Sequence, residues 1–141
     1  MYNITGQRDD IMFGEKPMFG QNEIKVDEKG RIFIPAYTKR EPGEELVLMY
    51  NENLKLHEIY SVQKLDDRFK KLSDLIDKSI TKKEKNFYEK MLLELSKSIL
   101  RSETIDCQGR FLTGKVFEGQ EKVLCTGAHD HLIIEPVKSK K

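Results

Sequence analysis

One nine-residue pattern occurs twice in this chain: Val26-Asp27-Glu28-Lys29-Gly30-Arg31-Ile32-Phe33-Ile34 returns as Ile105-Asp106-Cys107-Gln108-Gly109-Arg110-Phe111-Leu112-Thr113. Each copy is an apolar residue, an acid, two further residues, glycine, arginine and a strand-like run. The likeness continues downstream, where Val47-Leu48 is matched by Val123-Leu124 and Leu54-Lys55-Leu56-His57-Glu58 by His131-Leu132-Ile133-Ile134-Glu135. Both halves therefore read strand, D-x-x-G-R turn, strand, connector, strand, turn, strand. A unit present in duplicate generally needs its copy to cover its apolar face, so the repeat predicts two halves closing one core.

Length agrees with that reading, because 141 residues suffice for one substantial core and not for two independent domains. With 35% charged residues and a formal net charge of +1, the chain is neither a basic polyanion sponge nor an acidic disordered tail. Any contact with nucleic acid must rest on local charge. Cys107 and Cys125 lack C-x-x-C spacing, and no apolar run resembles a signal peptide or membrane span, which predicts a cytoplasmic protein with free thiols.

Residues 1–17 fit neither repeat and read as an N-terminal arm. Repeat one occupies residues 22–60, where Ile24, Val26, Ile32 and Ile34 alternate as in a half-buried strand until Pro35 stops the ladder. Ala36 to Glu41 has room for one helical turn, Leu46 to Tyr50 reads as a strand, and Asn51-Glu52-Asn53 turns the chain back into Leu54 to Ile59.

Residues 61–100 predict a helical hairpin. Leu65, Phe69, Leu72 and Ile76 share one face of a helix starting near Ser61. Thr81-Lys82-Lys83-Glu84 is a capping box that opens a second helix with Phe87, Tyr88, Met91, Leu92, Leu95 and Ile99 on its apolar face. Packing against the strands accounts for both stripes. Repeat two, residues 101–136, has Thr113-Gly114 in place of Ile34-Pro35 and a connector too short for the helical turn; residues 137–141 are a basic tail. The class is α+β.

Met18-Phe19-Gly20, then Val26 to Arg31, then Ile34-Pro35-Ala36 resembles the start of the MraZ family of transcriptional regulators, within the SpoVT/AbrB superfamily of swapped-hairpin DNA-binding folds. The doubled D-x-x-x-R, the intervening helices and the length agree over residues 18–136. This resemblance implies a small β-barrel made from two swapped-hairpin half-units, a pseudo-dimer, with the helical hairpin inserted between them. It also implies sequence-specific binding of double-stranded promoter repeats through the D-x-x-G-R loops by a homo-oligomer, in that family a ring. The expected place is the cytoplasm, at the nucleoid. The extension before Met18, the missing Ile-Pro in the second copy and its short connector depart from the family pattern.

The matching residues are Asp27 and Arg31 in the first copy and Asp106 and Arg110 in the second. Glycine before arginine permits a sharp positive-φ turn, which marks Gly30 and Gly109 as loop-structuring residues. The guanidinium fork suits phosphate or the O6 and N7 of guanine. A carboxylate repels phosphate, so Asp27 and Asp106 are assigned to holding the loops. Lys25, Lys29, Lys39 and Arg40 complete the first set of candidate DNA contacts. Lys115 joins Arg110 in the second, weaker set. Residues 22–40 carry five basic residues against three acids, whereas residues 101–121 carry three against four.

A lone D-x-x-G-R can be merely a salt-bridged hairpin; two copies in this frame favour binding. The alternative function is a protein-interaction module on the same fold. An enzyme would need a nucleophile-base pair, a metal cage or a glycine-rich phosphate loop, and none is recognisable, so no cofactor is expected. His129-Asp130-His131 has no third metal ligand at recognisable spacing, and Cys107 has no nearby resolving cysteine.

Overall fold

The computed structural model of the chain describes residues 18–137; the expected arm and the tail lysines Lys138, Lys140 and Lys141 lie outside them. In chain order the elements are β1 (Met18–Lys25), β2 (Arg31–Phe33), a 3-10 turn (Ala36–Thr38), β3 (Glu45–Asn51), β4 (Leu56–Ser61), α1 (Val62–Asp77), α2 (Lys82–Ser98), β5 (Ile99–Thr104), β6 (Arg110–Leu112), β7 (Lys122–His129) and β8 (His131–Pro136). The architecture is α+β. Six antiparallel strands form one sheet in the order β1-β7-β8-β4-β3-β5, while β2 and β6 pair only with each other as a two-stranded ribbon.

Exchanging the two repeats, β1 with β5, β3 with β7 and β4 with β8, returns the same strand order read backwards. Each repeat lends its first strand to the other's hairpin: β1 pairs with β7, and β5 pairs with β3. The sheet itself does not close into a barrel. Its edges are β1 and β5, because the ribbon strands spend their ladder bonds on each other.

The parity of β3 explains its unbroken apolar run. Leu46 and Leu48 join Ile24, Ile32, Ile59, Phe111, Val123, Leu132 and Ile134 in the main core, while Val47 and Met49 join Tyr60, Leu65 and Leu95 beneath the helices. A strand covered on both faces has no polar side to alternate.

Both helices begin where capping chemistry sets them. Ser61 accepts from the Lys64 amide at 3.1 Å, and Thr81 accepts from the Glu84 amide at 3.1 Å. Glu84 reaches one residue beyond the cap, accepting from the Ile80 amide at 3.0 Å. Packing on the sheet covers less of the apolar stripe than the sequence suggests: Leu95 is buried, but Phe87 and Met91 are exposed. Repeat two's connector, residues 113–121, turns without a helix, as its shortness predicts. Two strands are longer than their sequence signal, since β1 reaches back to Met18 and β7 on to His129. No helix among the described residues is long and apolar enough to cross a membrane.

Candidate nucleic-acid interface

The two D-x-x-G-R loops are built alike, bond for bond. Asp27 Oδ1 accepts from the amides of Lys29 at 2.9 Å and Arg31 at 2.8 Å; Asp106 Oδ1 accepts from those of Gln108 at 3.0 Å and Arg110 at 2.8 Å. The second carboxylate oxygen takes the arginine, with Arg31 Nε donating to Asp27 at 2.7 Å and Arg110 Nε donating to Asp106 at 2.9 Å. The turns close through Gly30 and Gly109, at φ of +82° and +84°. In both loops the bound arginine amide does most to hold the aspartate carboxyl below the usual range, aided by the guanidinium and the neighbouring amide against the cost of desolvation.

An aspartate that grips Nε leaves the outer end of the fork pointing onward. Neither Nη of Arg31 nor of Arg110 has a hydrogen-bond partner among the described residues. Each guanidinium is therefore held at its base by its own aspartate, with the side chain 27% exposed in Arg31 and 21% exposed in Arg110.

Register then decides where the two tips lie. In the ribbon Arg31 pairs with Leu112, Ile32 with Phe111 and Phe33 with Arg110. Cross-strand partners share a face and successive residues alternate, so Ile32 and Phe111, both 0% exposed, face the core. Arg31, Phe33, Arg110 and Leu112 consequently share the outer face. The arginines are diagonal neighbours there, with backbones roughly 7–8 Å apart.

Each loop is also tied to the opposite repeat. The Ile34 amide donates to the Gly109 carbonyl at 2.9 Å, and the Thr113 amide donates to the Gly30 carbonyl at 2.7 Å. The Thr113 hydroxyl adds a second bond to Gly30 at 2.5 Å, an interaction that its counterpart Ile34 cannot make.

The remaining candidate contacts are less uniform. Lys25, Lys29, Lys39 and Lys115 are exposed, Lys39 following the 3-10 turn in the left-handed region. Arg40 requires a correction: its side chain is only 6% exposed and its Nη1 lies 3.5 Å from Glu44 Oε2, so it is packed into the fold rather than offered to a duplex. A groove of about 970 Å³ beside the first loop carries both signs, Lys29, Arg101 and Lys115 with Glu28, Glu118 and Glu121. That mixture does not make a phosphate cradle. An exposed residue that sequence reasoning did not single out is Phe33, 55% exposed on the outer face opposite Arg110. Its signal was parity: inward Ile32 and Ile34 require Phe33 to point outward.

The histidine triplet divides at the β7–β8 turn. His129, with φ of +73°, meets the Phe19 ring edge to face, whereas His131 turns inward. There Nδ1 lies 2.6 Å from Asp130 and Nε2 lies 3.2 Å from the buried Glu58. Its ring stacks on Tyr60 at 4.6 Å, Arg68 of α1 lies over that tyrosine, and Lys64 of α1 pairs with Asp130 at 3.4 Å. Desolvation opposes the imidazolium, but hydrogen bonds to Glu58 and Asp130 outweigh it and raise the His131 pKa. This cluster pins α1 to the sheet. Among the described residues no group of three His, Cys, Asp or Glu side chains is placed to hold a metal ion.

Compared with protein-family models and with curated proteins, the sequence matches none.

Proposed function

We propose that this chain is a sequence-specific DNA-binding transcriptional regulator of the MraZ type, acting at the nucleoid as a homo-oligomer on repeated promoter sites. The two repeats form a pseudo-dimer in which the ribbon caps one side of a barrel-like core, and the ribbon's outer face meets the duplex. One observation carries the reading: Arg31 and Arg110 share that face, each anchored through Nε to its own aspartate with no Nη hydrogen bond among the described residues. A two-stranded ribbon fits the major groove, about 12 Å wide, where an arginine fork can pair with guanine.

Charge at the ribbon argues for several weak contacts acting together. Asp27, Glu28 and Asp106 offset Lys29, Arg31 and Arg110, so one protomer gains little from long-range attraction. An oligomer spanning tandem sites supplies affinity through effective concentration.

The test is a gel shift with the promoter upstream of the chain's own gene across a salt series. Binding should weaken steeply with salt. Arg31→Ala should abolish the shift and Arg110→Ala reduce it. A duplex bound equally well after Arg31→Ala would end the proposal.

A second reading, a protein-interaction module on the same fold, is favoured by the apolar surface of α2, where Phe87 is 59% and Leu93 53% exposed. A partner captured equally by the chain and by its Arg31→Ala, Arg110→Ala double variant would select it.

A further inference from the structure

Phe33 is an apolar ring, 55% exposed, on a face that it shares with two arginines and Leu112. It pairs with Arg110 across the ribbon and lies two residues along the strand from Arg31. Its counterpart in the other repeat, Leu112, is smaller and half-buried, so the aromatic exposure belongs to the first copy alone. Ile32 and Phe111 already fill the inner side, which means that Phe33 contributes nothing to the core.

We propose that Phe33 is a specificity-determining residue that packs against the C5-methyl group of a thymine in the major groove. This inference rests on the DNA-binding reading above and deepens it. Successive base pairs rise about 3.4 Å, so two steps match the roughly 7–8 Å between the diagonal arginines; Phe33, directly opposite Arg110 and two residues along the strand from Arg31, stands beside the base pair that Arg110 would meet. The arginine tips seek guanine acceptors, and thymine is the base that presents a methyl to the same groove. Two arginine forks with an apolar ring beside one of them are thus complementary to two acceptor sites with a methyl beside one of them. An apolar protein partner would instead cover both guanidinium tips and leave them unpaired, at a desolvation cost that disfavours it.

Removing the methyl while leaving every hydrogen-bonding group in place isolates this contact. Duplexes enriched from a random pool by the full-length chain provide the probe, with each thymine replaced in turn by deoxyuridine. The wild-type chain should lose about fourfold in affinity at one or two such positions, the worth of one buried methyl. Phe33→Ala should bind the thymine duplex more weakly and bind the thymine and deoxyuridine forms equally. Phe33→Ser, which carries no methyl group, carries the same expectation should the alanine disturb the ribbon.

Discrimination between thymine and deoxyuridine that survives both substitutions would overturn the inference while leaving DNA binding intact. So would a wild-type chain indifferent to every deoxyuridine but weakened by inosine for guanine, since inosine lacks only the minor-groove amino group. Failure to enrich any salt-sensitive duplex would remove the DNA-binding reading itself, and this inference with it.

Discussion

Alanine at the two motif glycines should have unequal consequences although the loops share one backbone conformation. Gly30 and Gly109 sit at φ of +82° and +84°, where an alanine costs on the order of 1 kcal/mol in either loop. The difference lies outside the turn. A Cβ on Gly109 would meet nothing within 4 Å, but one on Gly30 would stand 2.0 Å from the Gly114 carbonyl oxygen. That oxygen is backbone and cannot rotate away. The loop must move instead, disrupting the two bonds that Thr113 donates to the Gly30 carbonyl, each worth about 1 kcal/mol. Gly30→Ala should therefore cost about 3 kcal/mol and Gly109→Ala about 1 kcal/mol, by these typical values. In urea, with a slope of about 2 kcal/mol per molar, the midpoint should fall by roughly 1.5 M for Gly30→Ala and roughly 0.5 M for Gly109→Ala. Circular dichroism follows both transitions. Equal midpoints, or the larger loss at Gly109, would show that the close approach of Gly114 to the first loop is not a feature of the folded chain.

Three further outcomes follow from the burial and bonding of single groups. His131, its pKa raised by Glu58 and Asp130 despite desolvation, contributes stability that is complete below its ordinary value of about 6.5 and lost as pH rises through the folded value. His57, lowered by burial, acts in the opposite sense and only below that ordinary value, so the thermal midpoint should fall above about pH 6.5 and His131→Gln should flatten that limb; a wild-type midpoint that climbs there contradicts the assignment. Cys107 is exposed, whereas Cys125 is buried with its thiol pushed up to about 11, so one thiol per chain should react with a maleimide in the native state and two in urea. Thr81→Ala removes the cap of α2 and should cost about 1 kcal/mol in urea unfolding, with Thr81→Ser close to neutral.

Much of this architecture was readable because it depends on local chemistry. The doubled motif predicted the paired turns, the capping residues marked both helix starts within a residue, and the missing Ile-Pro predicted the non-helical second connector. Most of the failures share one cause, a partner distant in sequence; Arg40 is the exception, since Glu44 is only four residues on. Met18 is strand because it pairs with His129, and no local signal announces that pairing. Arg40 counted as a free cation in a basic stretch, yet it lies buried against Glu44. The apolar stripe of α2 predicted coverage along its length, but the sheet covers Leu95 and leaves Phe87 exposed. Periodicity identifies the face that needs covering and not how far the neighbour extends. The His131 network was hidden for the same reason, since Glu58, Tyr60 and Arg68 meet it only after β4 pairs with β8.

The bonds between the repeats explain how a duplicated unit can keep its frame while its tips diverge. The glycine carbonyl of each loop is held by an amide from the other repeat, so the two loops are tied together while each arginine is gripped by the aspartate of its own loop. Aspartate, glycine and arginine are fixed by that scaffold, because the carboxylate accepts the turn amides and grips Nε while glycine supplies the left-handed turn. Of the two residues between aspartate and glycine, the second donates its backbone amide to the aspartate, and both leave their side chains exposed. Glu28-Lys29 can therefore become Cys107-Gln108 without altering one loop hydrogen bond. Should the proposed DNA binding hold, symmetry of the frame with asymmetry at the tips would suit the ribbon to a non-palindromic site. Exchanging Lys29 with Gln108 should then leave stability unchanged and alter which end of such a site the chain prefers.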